Sequence, residues 1–88
     1  MNATAYSYTT LKIRNSGIKE LTQVMEQYEH LRVVDFGFNL IKDVGPLLAL
    51  KYITHLGLTR NLINSLGFLS RENIFPYLRE VNLLGNQI

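Results

Sequence analysis

The chain has 88 residues, of which 47% are hydrophobic and 18% are charged, and its formal net charge is +2. This length predicts one domain, and this balance argues against intrinsic disorder. The absence of cysteine excludes disulfides, a thiolate nucleophile and cysteine-based zinc sites. The basic residues are scattered rather than clustered, which argues against a nucleic-acid-binding protein.

The first predicted element is a short strand within "YTTLKIRNSGI", which begins at Tyr8. The same pattern returns as "LRVVDFGFNLI" from Leu31, "ITHLGLTRNLI" from Ile53 and "LREVNLLGNQI" from Leu78. Each of these three reads apolar-x-x-apolar-x-apolar-x-x-Asn-x-Ile. Two apolar residues separated by one other residue have the period of a strand, so each copy predicts a short strand with one face in the core.

An asparagine follows each of the last three strands. These residues are Asn39, Asn61 and Asn86, at spacings of 22 and then 25 residues, and Ser16 stands at this place in the first copy. A buried asparagine can hydrogen-bond to backbone groups where the chain turns out of a sheet. Stacked copies therefore predict a ladder of asparagine side chains.

The segments that return the chain to the next strand differ from one another. "KELTQVMEQYEH" has apolar residues on one helical face, which predicts an α-helix from Lys19 to Glu29. "DVGPLLALKY" predicts a turn or two of α- or 3₁₀-helix, with Asp43 as a cap and Pro46 in the first turn. In "SLGFLSRENIFPY", Leu66 and Leu69 are predicted to face inward.

The alternation of strand and return segment predicts an α/β solenoid of about four repeats. Short parallel strands would form the concave face, and helices or 3₁₀ turns the convex face. The single domain, residues 1–88, would divide into repeats near 8–30, 31–52, 53–77 and 78–88, of which the last is incomplete.

From about Tyr8 to Ile88 the sequence resembles leucine-rich-repeat proteins. The repeat cores are similar to those of the short intracellular class, which is typified by a regulatory subunit of type-1 protein phosphatase. Axonemal dynein light chains and a spliceosomal repeat protein have similar repeats. The sequence departs from this pattern at Gly37 and Gly57, where the family usually has larger side chains. The resemblance implies a solenoid that binds proteins, and it names no partner.

The variable positions of the predicted strands lie on the concave face, where Arg and aromatic residues are common interface anchors. We predict partner-binding side chains at five of these positions: Asp35, Phe38, His55, Arg60 and Asn82. The same residues also have simpler interpretations. Phe38 can pack against its turn, and Arg60 can be a solvated arginine. Asp35 can balance Lys12 and Arg32, and His55 can be an ordinary surface histidine.

The fourth copy has a strand and a turn but no return segment. Val81, Leu83 and Ile88 would then lack a neighbour on one side. Three alternatives stay open at this point. The sequence is a fragment of a longer repeat protein, a second copy covers this edge in a homodimer, or the last repeat frays.

Catalysis is not predicted. The two histidines are 25 residues apart, and the chain has neither a phosphate-binding glycine motif nor a set of metal ligands at a recognisable spacing. We therefore expect no enzyme, metal or cofactor. The first hypothesis is a protein-binding adaptor or regulatory module, the second is an assembly role through the last repeat, and the third is an RNA-associated role.

The expected location is the cytoplasm, with the nucleus left open. The N-terminal segment "MNATAYSYTT" lacks the basic and apolar regions of a secretory signal. No apolar run is long enough to cross a membrane, so no membrane association is expected.

Overall fold

The computed structural model describes residues 9–21, 28–69 and 74–88. Within these ranges it contains four strands: β1 (Thr10–Lys12), β2 (Val33–Asp35), β3 (His55–Gly57) and β4 (Glu80–Asn82). They form one parallel sheet in the order β1-β2-β3-β4. Sequential order in an all-parallel sheet is the topology of a solenoid, so the predicted fold class is confirmed.

The strand register follows the apolar positions of the repeats. Leu11 pairs with Val34, Val34 with Leu56, and Leu56 with Val81. Because side chains alternate along a strand, this row points into the core and the residues on either side of it point to the concave surface. Val34 and Leu56 are buried, whereas Leu11 and Val81 on the outer strands are half-buried.

The buried core consists of apolar residues from the middle two repeats together with Leu21 of the first, and partly buried residues of the first and last repeats pack against it. Its ten largest fully buried side chains are Leu31, Val34, Phe36, Ile41, Leu47, Leu50, Ile53, Leu56, Leu58 and Ile63. Burial of each such side chain contributes about 1.5–3 kcal/mol. Most of the hydrophobic stabilisation therefore lies in the middle of the solenoid.

Within the described ranges, two return segments contain complete 3₁₀-helices. The first covers Gly45–Ala49, with a proline near its start, and the second covers Gly67–Leu69. The Asp43 carboxylate accepts the Gly45 N–H at 2.8 Å, which turns the chain just before the first of them. A tight 3₁₀ turn advances the chain more per residue than an α-helix, which suits a short return path.

Two predictions for the return segments need correction or fall outside the described residues. The predicted α-helix from Lys19 to Glu29 covers residues 22–27, which are outside them, and the described stretch Lys19–Leu21 is not helical. Leu66 is 43% exposed rather than turned inward, whereas Leu69 packs against the core. The second 3₁₀-helix begins after Leu66, so helical spacing does not place Leu66 on the same face as Leu69.

The three repeat asparagines make equivalent hydrogen bonds. Asn61 donates to Phe36 O at 3.0 Å in the previous repeat and to Leu58 O at 3.1 Å in its own, and its Oδ1 accepts the Ile41 N–H at 3.0 Å. Asn39 and Asn86 bond in the same way one repeat earlier and one repeat later. Each side chain thereby joins two repeats and satisfies buried backbone groups.

A left-handed residue follows each strand by a fixed interval. Asn15 has φ 52°, Phe38 has φ 61°, Arg60 has φ 52° and Gly85 has φ 79°. Asn and Gly tolerate this region, whereas Phe and Arg rarely adopt it because the Cβ approaches the backbone. The same turn geometry is thus repeated four times with residues of very different intrinsic preference.

Candidate functional site

The concave face of the sheet carries a shallow depression of 360 Å³. It is lined by strand residues of all four repeats, among them Lys12, Asp35, His55, Glu80 and Asn82. Three of the five predicted partner-binding residues line it, namely Asp35, His55 and Asn82. The other two, Phe38 and Arg60, lie at the turns that follow β2 and β3.

Asp35 lies in the middle of this face and is half-buried. Its Oδ1 accepts the Gly37 N–H at 2.9 Å, and its Oδ2 lies 3.5 Å from Arg14 Nε. Lys12 is the register neighbour of Asp35, but the ion pair forms with Arg14, which corrects the expected pairing. The longer arginine side chain can extend back along the sheet to the carboxylate from the position after β1.

Two glycines make room for this ion pair. A Cβ at Gly57 would lie 3.1 Å from Asp35 Oδ1, and a Cβ at Gly37 would lie 3.1 Å from the same atom and 3.2 Å from Arg14 Nε. Both contacts are closer than ordinary van der Waals distances. Gly37 and Gly57, which depart from the repeat pattern, therefore lie where the side chains of Arg14 and Asp35 occupy the concave face.

Phe38 lies between residues of the repeats on either side. The Arg14 guanidinium carbon is 5.3 Å from the centre of the Phe38 ring, and that of Arg60 is 5.7 Å from it. Both distances are within the range of cation–π contacts. Because the ring is 42% exposed, it supports both guanidinium groups at the surface, and we call these three residues the Arg–Phe–Arg cluster.

Arg60 also packs on the next repeat. A Cβ at Gly85 would lie only 2.8 Å from Arg60 Cγ, so the side chain of Arg60 occupies the space that glycine leaves. The Arg60 N–H donates to Leu84 O at 2.8 Å. The stem of Arg60 is thus fixed on one repeat while its guanidinium group lies over the ring of another.

His55 and Asn82 contribute polar groups to the same face. The Thr54 hydroxyl lies 3.1 Å from Arg32 O, to which it donates, and 2.8 Å from His55 Nδ1. Asn82 Oδ1 accepts the Leu84 N–H at 3.1 Å, which is the same local bond that Asp35 makes.

The last strand forms the predicted open edge. Val81 and Leu83 are half-buried, whereas Ile88 is 59% exposed. Within the residues that the structure describes, β4 pairs with β3 and with no other strand. The three residues thus have less cover than their counterparts in the middle repeats.

An exposed stack of rings was not predicted from the sequence. The ring centres of His30 and Tyr52 are 6.3 Å apart, those of Tyr52 and Tyr77 are 6.0 Å apart, and the planes are within 19° of parallel. Each ring directly precedes the first apolar residue of a repeat core. A comparison of that position in the aligned repeats would have revealed it.

The cluster itself was predicted in part. Phe38 and Arg60 were selected from the sequence, but Arg14 was not, because its repeat position gives no sign that it reaches Phe38. The left-handed turns had a sequence signal, since Asn15 and Gly85 at the aligned positions are residue types that favour positive φ.

Metal sites and membrane-spanning helices are both absent from the described residues. Within the part of the chain that the structure describes, no group of three or more His, Asp or Glu side chains lies together so as to hold a metal ion. No helix in those ranges is long and apolar enough to pass through a membrane.

Comparison with known proteins supports a relationship to leucine-rich-repeat proteins. No family model matches the chain. Two similar relatives are leucine-rich repeat-containing protein 23 of Bos taurus, with 31% identity, and that of Homo sapiens, with 29% identity, each over 87 residues and 99% of this chain. The chain spans 24% of the length of each relative.

A solved structure shows the same fold. The crystal structure of an internalin from Listeria monocytogenes superimposes with a TM-score of 0.77 and 26% sequence identity. The match covers 89% of this chain and 22% of the internalin chain. The parallel sheet, the asparagine bonds and these likenesses together show that the chain folds as a leucine-rich-repeat solenoid and support its membership of the leucine-rich-repeat family.

Proposed function

We propose that this chain is a protein-binding module that contacts its partner through the concave face, in an adaptor or regulatory role. The observation that carries the proposal is the Arg–Phe–Arg cluster, which displays an aromatic ring and two guanidinium groups beside the depression. Aromatic and arginine side chains are enriched at the energetic centres of protein interfaces. Proteins with this fold generally act as interaction modules rather than enzymes.

Capture experiments with matched variants test this function. The chain is immobilised and exposed to an extract of cells that express it, and the bound proteins are identified by mass spectrometry. We expect a specific set that is lost with the double variant Phe38→Asn, Arg60→Gln and retained with Lys51→Gln, because exposed Lys51 lies in a return segment away from the concave face. If all three proteins capture the same set, the concave face is not the binding surface.

A second candidate function is assembly through the β4 edge. Among the described residues β4 pairs with β3 and Ile88 is exposed, and an edge strand can offer hydrogen-bonding groups to another chain. A homodimer should show a sedimentation coefficient that rises with protein concentration. The variant Leu83→Asp should keep the monomer value at every concentration. A concentration-independent monomer would reject self-assembly.

We also propose that the repeats belong to the short intracellular class and that the protein works in the cytoplasm. The interval of 22 residues between Asn39 and Asn61 and the absence of cysteine support this proposal. Imaging of the tagged protein in its own cells tests it, and a signal restricted to the cell surface would contradict it.

A further inference from the structure

We propose that the partner presents an acidic segment, in which Asp or Glu carboxylates bind the guanidinium groups of Arg14 and Arg60 and a neighbouring apolar side chain packs on the exposed part of Phe38. This inference rests on the proposed protein-binding function and specifies the chemistry of the partner. The ligand is a carboxylate next to an apolar residue in a protein chain.

Among the described residues, the charges of the cluster are only partly compensated. Among residues 9–21, 28–69 and 74–88 the one ion pair joins Arg14 Nε to Asp35 Oδ2 at 3.5 Å. Arg60 has no carboxylate within ion-pair distance in those ranges. Asp35 shows that a carboxylate fits against a guanidinium group of the cluster, and a partner carboxylate would do the same for Arg60.

Both guanidinium groups are held in place before any partner arrives. Arg14 crosses the face over Gly37, Arg60 lies over Gly85, and both contact the Phe38 ring. Binding usually costs conformational entropy when long side chains become ordered. Because these two are already supported, less of that cost remains when an anion binds.

Backbone strain indicates that Phe38 and Arg60 are present for the chemistry of their exposed side chains. Phe38 and Arg60 have positive φ at a turn where the first and last repeats have Asn and Gly. Strained residues persist where the surroundings enforce them, and they concentrate at functional sites. Since Asn or Gly would make the same turn with less strain, side-chain chemistry is the remaining reason for Phe and Arg.

Apolar side chains extend the same edge of the sheet. Leu84 is 74% exposed, and its carbonyl accepts the Arg60 N–H. Leu40 and Leu62, which directly follow the ladder asparagines, are also exposed. A surface that combines two guanidinium groups with exposed leucines and a phenylalanine is complementary to a segment in which acidic and apolar residues alternate.

Selection from a library of random peptides displayed on phage tests the proposal. We expect peptides selected on the wild-type chain to be enriched in Asp or Glu next to Leu, Phe or Ile. A selected peptide should bind Arg60→Gln about tenfold more weakly and should bind Lys51→Gln unchanged. Asp35→Asn should strengthen binding, because it frees the Arg14 guanidinium for the peptide.

The outcomes separate this inference from the function beneath it. The selected peptides could show no enrichment in Asp or Glu, bind Arg60→Gln as tightly as the wild type and still lose binding with Phe38→Asn. That result would overturn the proposed acidic ligand and leave the concave face as a protein-binding surface. Peptides that bind every variant equally would overturn both. Urea unfolding of each variant confirms that a loss of binding is not a loss of fold.

A nucleic-acid control decides the remaining alternative. A single-stranded RNA oligonucleotide is titrated against the same variants, since guanidinium groups also bind phosphate. We expect RNA to bind more weakly than the selected acidic peptide and to be displaced by it. Tighter RNA binding that depends on Arg14 and Arg60 would assign the cluster to phosphate and overturn the proposal.

Discussion

The guanidinium group of Arg60 lies 5.7 Å from the ring centre of Phe38, and both residues have positive φ. They come from consecutive repeats and hold the same position in each. Repetition of the fold therefore brings two unfavourable backbone conformations side by side. The contact between these side chains depends on both turns, which connects the backbone of the solenoid to the chemistry of its surface.

The turn at Phe38 should reverse the usual preference between alanine and glycine. We expect the unfolding free energy of Phe38→Gly to exceed that of Phe38→Ala by about 1 kcal/mol, because only glycine has no Cβ to clash at positive φ. Phe38→Gly should therefore unfold at a higher urea concentration. Both variants lose the ring, so their difference isolates the backbone. Equal midpoints, or a more stable alanine variant, would show that residue 38 is not left-handed.

Gly85 should control the position of Arg60. In Gly85→Ala the new Cβ would lie 2.8 Å from Arg60 Cγ, whereas in Gly17→Ala it would meet no atom within 4 Å, although both glycines have positive φ. We expect both variants to lose about 1–2 kcal/mol of unfolding free energy from the backbone. Only Gly85→Ala should also weaken binding of the selected peptide. Equal effects of the two variants on binding would contradict a role for Gly85 in placing Arg60.

The asparagine ladder should be most sensitive in its middle. Asn61 is 3% exposed, and Asn61→Ala would leave the Ile41 N–H without its acceptor. The carbonyls of Phe36 and Leu58 would keep their bonds from Asn39 and Asn86. We expect a loss of about 1–3 kcal/mol of unfolding free energy, which is the cost of one orphaned buried group. Asn86→Ala should cost less, because Asn86 is only half-buried.

Denaturant unfolding of the two asparagine variants provides the measurement. A smaller loss for Asn61→Ala than for Asn86→Ala would show that the ladder does not carry the packing between repeats. The variant Asn61→Asp is a useful comparison, because it keeps an acceptor for the Ile41 N–H and removes the amide donors.

The exposed ring stack should depend on its central member. Tyr52 contacts both His30 and Tyr77, whereas Tyr77 contacts one of these rings. Stacked aromatic pairs contribute about 0.5–1.5 kcal/mol beyond area burial, so Tyr52→Leu should destabilise the chain more than Tyr77→Leu. A double-mutant cycle between the two tyrosines measures the coupling, and a coupling energy near zero would mean that the stack adds no stability.

Much of the fold was readable from the repeat pattern. The interval between asparagines predicted the parallel sheet, because residues at equivalent places in stacked repeats must lie side by side. Strand pairing follows that pattern, with Val34 beside Leu56. The return segments were less predictable, since a stretch such as Gly45–Ala49 can form an α-helix or a 3₁₀-helix. The short path between repeats selects the 3₁₀-helix.

The sequence by itself determined the solenoid, the row of inward-facing apolar strand residues and the positions of Asn39, Asn61 and Asn86. Each of these follows from a local periodicity that is repeated along the chain. Only the tertiary structure decided that Asp35 pairs with Arg14 rather than Lys12, and that Arg14 and Arg60 meet on Phe38. These contacts join different repeats. They depend on side-chain length, on the direction each turn imposes and on the space that Gly37, Gly57 and Gly85 leave open, and none of these has a period in the sequence.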